Sequence, residues 1–134
     1  MSKSISGKCC CGKVEWQAQL PPAIVLNCHC TMCRELSGAD YSSWVVLPAA
    51  QFSLTSGEDN ISNYQATEKF SKSFCSNCGS TVTCVNNAKF PDHIYVARGN
   101  ISDDVDLPVQ LQVYTEDKAD WIDINADIPV FTPK

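Results

Sequence analysis

Cys28-His29-Cys30-Thr31-Met32-Cys33-Arg34 gathers three cysteines and a histidine within six residues. Core packing does not call for this, because small hydrophobes fill the same space without the oxidation risk of a thiol. A metal ion does call for it. Thiolate sulfurs converge on one ion only when a short loop presents them from one side. The rest of the chain supplies a second cysteine cluster and a β-rich frame that holds both.

At 134 residues the sequence suits one domain, spanning 1–134, with enough length for a hydrophobic core. Apolar residues make up 44% and charged residues 19%, which is the balance of a folded globular chain and not of a disordered one. A formal charge of −5 without any Lys/Arg tract argues against a nucleic-acid partner, which would require a basic stripe. Met1 to Ser6 contains no apolar stretch of the kind that opens a signal peptide, and no apolar run is long enough to span a membrane. The expected location is therefore the cytoplasm. In a reducing compartment nine cysteines read as metal ligands and not as disulfides, and an odd number of thiols cannot all pair.

Taken in order, Gly7-Lys8-Cys9-Cys10-Cys11-Gly12 opens the ordered part with glycines on either side of a tight turn. Val14 to Leu20 alternates apolar with polar residues as a half-buried strand, ended by Pro21-Pro22, and Ala23 to Leu26 forms the strand that feeds Cys28. Arg34 to Ser37 is expected to make one helical turn closed by Gly38 in a left-handed cap. Further strands are expected at Tyr41 to Leu47, Phe52 to Leu54, Ile61 to Tyr64, Lys69 to Phe74, Ser80 to Val85, His93 to Ala97, Leu111 to Thr115 and Trp121 to Ile124. Ser102 to Asp106 reads as an acidic loop and Pro129 to Pro133 as a tail. Short strands, frequent turns and almost no helix make this a mainly β domain.

Cys75-x-x-Cys78-Gly79 has the spacing of a zinc knuckle, whose glycine leaves backbone N–H groups free to face the thiolates. One knuckle supplies two ligands, and Cys9-x-Cys11 is the natural other half. Cys9, Cys11, Cys75 and Cys78 together would make a closed structural site. Cys28, Cys30 and Cys33 offer three thiolates with no fourth partner in their loop, the pattern of a zinc that keeps one position open for a substrate. Closure of that site by Cys10, Cys84, His29 or His93 is the alternative. His29 is the poorest of these, since it projects away from the point where its neighbours converge. Cys84 reads as a small core residue and Cys10 as a bystander.

These motifs in this order resemble the glutathione-dependent formaldehyde-activating enzymes and the centromere protein V-like proteins. The resemblance rests on Gly7-x-Cys9-x-Cys11-Gly12-x-Val14, Pro21-Pro22, Cys28-His29-Cys30-x-x-Cys33-Arg34, Gly38-Ala39, Trp44, Gly57 and Tyr64. Phe74-Cys75-x-x-Cys78-Gly79-Ser80, Lys118 and Trp121 complete it, so that it runs through nearly the whole chain. It implies a β-tent fold of short antiparallel sheets with two zinc ions per chain. Cys9, Cys11, Cys75 and Cys78 would hold the structural ion, and Cys28, Cys30 and Cys33 the catalytic one. It also implies condensation of formaldehyde with glutathione to S-hydroxymethylglutathione, a carbon–sulfur lyase reaction in reverse. Family members commonly carry a histidine six residues before the C-terminal lysine, where this chain has Gln112.

The leading expectation is thus a zinc-dependent enzyme for a thiol–aldehyde adduct, with Cys28, Cys30, Cys33 and Arg34 at the catalytic centre and glutathione as the thiol. An acidic protein needs local cations for glutathione's carboxylates, and Arg34 stands first, followed by Arg98 and Lys118. The rival expectations are a zinc-stabilised binding module without catalysis and a thiol redox sensor built on Cys28, Cys30 and Cys33.

Overall fold

The structure is a computed structural model and describes residues 3–124 and 128–131. Among the described residues eleven strands, one short α-helix and four 3-10 turns follow one another. The first strands are β1 (Ser4–Lys8), β2 (Glu15–Gln19) and β3 (Ile24–Cys28), and they lead into α1 (Thr31–Ser37). β4 (Ser42–Pro48), β5 (Phe52–Ser56), β6 (Ile61–Gln65), β7 (Phe70–Cys75), β8 (Thr81–Asn86) and β9 (His93–Ala97) come next. β10 (Leu111–Val113) and β11 (Val130–Phe131) close the order. The mainly β expectation holds.

Two sheets form, one with strand order β1-β2-β5 and one with order β11-β10-β3-β4-β9-β8-β7-β6. Strand alternation divides the apolar residues between the two faces of the larger sheet. On one face Val25, Val45, Leu47, Val82 and Val96 pack against Ile5, Val14, Trp16 and Ala18 of the smaller sheet. On the other, Leu26, Trp44, Val46, Phe70 and Tyr95 cluster with Cys28 and Cys33. Each cysteine group therefore belongs to a different face: Cys9 and Cys75 lie in the inter-sheet core, and Cys28 and the helix residue Cys33 lie on the opposite side.

α1 is two turns long, starting at Thr31 and not at Arg34 as the sequence suggests. The early start comes from Cys30, whose Sγ accepts the Cys33 N–H at 3.3 Å and so does the work usually left to Ser or Asp at an N-cap. Gly38 closes the helix with φ +70 and donates its N–H to the Arg34 carbonyl, as expected. Lys72 of β7 donates to the Leu36 carbonyl at 2.7 Å, which ties the helix C-terminus to the sheet.

Five expectations need correction. β1 precedes the point at which order was expected, because one buried side chain, Ile5, anchors a strand of otherwise small residues. Trp121 to Ile124 forms no strand; Trp121 is 69% exposed and is held by its indole instead. Val130–Phe131, expected in a tail, pairs with β10, while Thr132 and Pro133 lie outside the described residues. The pairing is also not antiparallel throughout, since β10 runs parallel to both β3 and β11. Tyr114, at φ +57, turns the chain out of β10 two residues before the expected end at Thr115 is complete.

Candidate metal centres

None of the nine cysteines is in a disulfide. The sulfurs of Cys9, Cys11, Cys75 and Cys78 all lie within 4.8 Å of one another. Cys9 Sγ is 3.6 Å from Cys11 Sγ, which is 3.7 Å from Cys75 Sγ. A disulfide would bring sulfurs to about 2.05 Å, whereas zinc–sulfur bonds of about 2.3 Å give a tetrahedron with edges near 3.8 Å. The donor set and its spacing fit zinc. Gly12 and Gly79, both at positive φ, turn the two loops back, with their N–H groups on the Cys9 and Cys75 carbonyls. The hydroxyl and N–H of Ser80 hold the Cys78 thiol down at about 5, so that ligand is a thiolate at neutral pH. Asn77 and the Lys13 backbone also lower Cys11. The cluster joins the β1–β2 loop to the end of β7, which are distant in sequence.

Cys28, Cys30 and Cys33 form the second group, again with all sulfurs within 4.8 Å. The end of β3 supplies Cys28, the N-cap of α1 supplies Cys30 and its first turn supplies Cys33. Thiol hydrogen bonds from Cys28 and Cys33, then the N–H groups of Cys33 and Met32 at the helix start, bring Cys30 down to about 3. Its neighbours' hydrogen bonds and burial push Cys28 in the opposite direction. The three sulfurs thus share protons until a cation replaces them. Among the described residues no fourth histidine, cysteine or carboxylate joins this group.

His29 is turned away, as its place between two ligands suggests. It is 1% exposed, its Nε2 lies 2.6 Å from Gln112 Oε1, and its ring packs at a tilt against Tyr41. Because an amide oxygen only accepts, Nε2 carries the proton, and Nδ1 is left buried without a partner among the described residues. The His29 N–H also donates to the Val113 carbonyl at 3.0 Å. The metal loop is therefore clamped to β10 twice, and Gln112 stands behind the site and not in it. Gln112→Leu is expected to weaken zinc at Cys28, Cys30 and Cys33 by about 10–100-fold, as loss of an outer partner of a metal loop does, while the four-cysteine site is unchanged. Competition against a zinc-binding dye, which resolves the two affinities, checks it.

The three sulfurs open onto a cavity of about 500 Å³. Leu26, Phe70, Phe90, Leu111 and Val113 make its walls largely apolar, and Thr31, Asn86, Tyr95, Tyr114 and the oppositely charged Lys89 and Asp117 complete the lining. Tyr95 is fixed edge-on between Trp44 and Phe90, with centroids 6.1 Å from each. Burial, and then the thiols of Cys84, Cys28 and Cys33, raise its hydroxyl above the usual range, so it stays protonated.

The cations chosen from sequence lie elsewhere. Arg34 Nη1 donates to the Asp117 carbonyl at 3.0 Å, and its guanidinium sits 5.7 Å over the ring of Trp121, whose indole N–H reaches Asp40 at 2.9 Å. Arg34 thereby ties the segment after β10 to α1 and does not line the cavity. Arg98 binds the Leu107 carbonyl and Ser43 in a separate cavity, and Lys118 Nζ faces the Ala119 carbonyl at 3.5 Å. His93 packs at a tilt against Phe90 outside the cavity, and exposed Cys10 joins neither sulfur group. Cys84 is buried as expected and forms part of the cavity wall. Tyr95 and Lys89 went unremarked in the sequence. A tyrosine in a strand and a lysine after a turn carry no mark of a site until the topology brings them to the same cavity as Cys28.

Residues 4–117 match the family described as "Glutathione-dependent formaldehyde-activating enzyme". A Halomonas elongata protein provisionally named as such an enzyme is 26% identical over 129 residues, which cover 91% of this chain and 82% of that one. An uncharacterized lyase of Schizosaccharomyces pombe is 29% identical over 136 residues, covering 94% of this chain and 89% of that one. A crystal structure of a Rhodobacter sphaeroides protein shares the fold, with a TM-score of 0.63 at 23% identity over 75% of this chain and 90% of that one.

Proposed function

The chain belongs to the family of glutathione-dependent formaldehyde-activating enzymes, and from that premise we propose that it is a zinc-dependent carbon–sulfur lyase acting on a thiol–aldehyde adduct, with glutathione as the thiol and formaldehyde as the aldehyde. The observation that carries the proposal is the three-sulfur group without a fourth protein ligand among the described residues, facing a cavity of about 500 Å³. A zinc ion held by Cys28, Cys30 and Cys33 supplies a soft Lewis-acid position that keeps a thiol in its thiolate form. Three thiolates leave such a centre with one net negative charge, which suits it to holding a soft nucleophile better than to activating water.

In the forward direction a sulfur–carbon bond forms and the thiol proton ends on the former carbonyl oxygen; in reverse the same bond breaks. Phe70, Phe90, Leu111 and Val113 keep water from the sulfur. Tyr95 Oη, protonated and held by two aromatic neighbours, donates a hydrogen bond to the aldehyde oxygen as charge develops there. No step requires nucleic acid or a membrane. No helix among the described residues is long and apolar enough to cross a bilayer, and a cytoplasmic location fits the nine unpaired thiols.

The test follows exchange of isotope-labelled formaldehyde between its free and glutathione-bound forms by NMR. The zinc-loaded protein is expected to speed the exchange. Tyr95→Phe is expected to slow it by about 10²–10³-fold, the usual share of one donor to a developing oxyanion, with thiol affinity unchanged. Absence of acceleration by the wild-type protein would overturn the proposed reaction. An unslowed Tyr95→Phe would remove only the role given to Oη.

A further inference from the structure

We infer that the cavity favours aldehydes whose carbonyl carbon carries an apolar group, aliphatic or aromatic, over formaldehyde. The inference rests on the thiol–aldehyde reading above and on the place it gives to Tyr95. Strand register builds the wall around that residue in rows. Leu111 of β10 stands opposite Leu26 of β3, which stands opposite Trp44 of β4. In the next row Tyr95 of β9 stands opposite Cys84 of β8. All five line the cavity. Trp44 and Phe90 pack edge-on against the Tyr95 ring, each with its centroid 6.1 Å away. A carbonyl oxygen that accepts from Tyr95 Oη therefore sets its carbon beside aromatic and aliphatic surface.

Formaldehyde and glutathione leave that surface poorly covered. Formaldehyde is little larger than water, whose share of liquid volume is about 30 Å³, against a cavity of about 500 Å³. Glutathione is larger, but its amides and carboxylates would lose hydration against hydrocarbon without gaining partners. A cavity of this size and apolarity suits a ligand with an apolar body of its own. Charge points the same way: Lys89 and Asp117 are of opposite sign, so the lining outside the sulfurs carries no net charge. An uncharged hydrocarbon group in place of one hydrogen of formaldehyde fits these walls. The balance of the reaction is unchanged, since the sulfur–carbon bond forms and the thiol proton passes to the carbonyl oxygen.

The experiment follows adduct exchange of glutathione with formaldehyde, propanal, hexanal and benzaldehyde on the zinc-loaded full chain by NMR. Each rate is divided by its uncatalysed rate, which removes the aldehydes' differing electrophilicity. Acceleration is expected to rise from propanal to hexanal by about fourfold for each CH₂ that the walls cover. For benzaldehyde it should exceed that for formaldehyde by at least about tenfold. Phe90→Ser, which puts a hydroxyl in the wall, should cut this preference about tenfold, and Phe90→Leu should keep most of it. A readout without turnover is benzyl alcohol, the unreactive counterpart of benzaldehyde: it should shift the amide signals of Phe90 and Leu111, and methanol should not. Equal acceleration for all four aldehydes, an unmoved preference in Phe90→Ser, or no shift with benzyl alcohol would overturn the inference and leave the formaldehyde reaction standing. No acceleration with any aldehyde would overturn the thiol–aldehyde reading and this inference with it.

Discussion

Cys75→Ser is expected to abolish cooperative folding at neutral pH. Cys75 is fully buried in the core between the sheets, and its sulfur group links the β1–β2 loop to β7. A structural zinc contributes an apparent 10–16 kcal/mol, roughly, to small domains, against a net stability of only about 5–15 kcal/mol. Loss of one ligand also leaves a buried hydroxyl where a sulfur packed. Circular dichroism during thermal unfolding, with zinc in excess, checks this. Cys10→Ser is the control, because Cys10 is exposed and outside both groups, and its effect should stay within about 0.5 kcal/mol. A Cys75→Ser protein that still melts cooperatively near the wild-type temperature would show that the four sulfurs hold no stabilising ion.

The second large effect falls on activity alone. Cys30→Ser is expected to lower glutathione–formaldehyde exchange by at least about 10³-fold, since a Lewis-acid centre contributes several kcal/mol to its reaction. The fold should survive. Cys30 caps α1 through its Sγ, and serine is among the best residues for that position. The helix is also anchored at its far end by Lys72 and closed by Gly38, neither of which the substitution touches. Exchange rates and the unfolding curve are read on the same preparation. Retained exchange with a normal melting curve would detach the chemistry from this sulfur group.

Both cysteine sets could be read from spacing because metal ligation imposes short, fixed intervals that survive any uncertainty in the fold. The same holds for Gly38, whose cap depends only on its own backbone. β2 was legible from alternation, which burial on one face imposes, and β4 and β9 from their β-branched and aromatic content. The rest depends on distant pairing. β11 is a strand because β10 lies beside it, and nothing in Val130–Phe131 says so locally. Gln112 meets His29 across 83 positions, so its part in holding the metal loop appears only once β10 lies parallel to β3. Arg34 adjoins Cys33 in sequence, yet its place on the helix surface directs it to Trp121 and Asp117; Lys89, remote in sequence, faces the cavity.

The most direct measurement is zinc per chain in protein purified under reducing conditions, for the wild type and for Cys30→Ser. Two equivalents falling to one, with the fold intact, is the expected result, because the two sulfur groups lie on different faces of the larger sheet. One equivalent in both proteins would contradict it, leaving the four-cysteine site alone and the cavity without a metal centre.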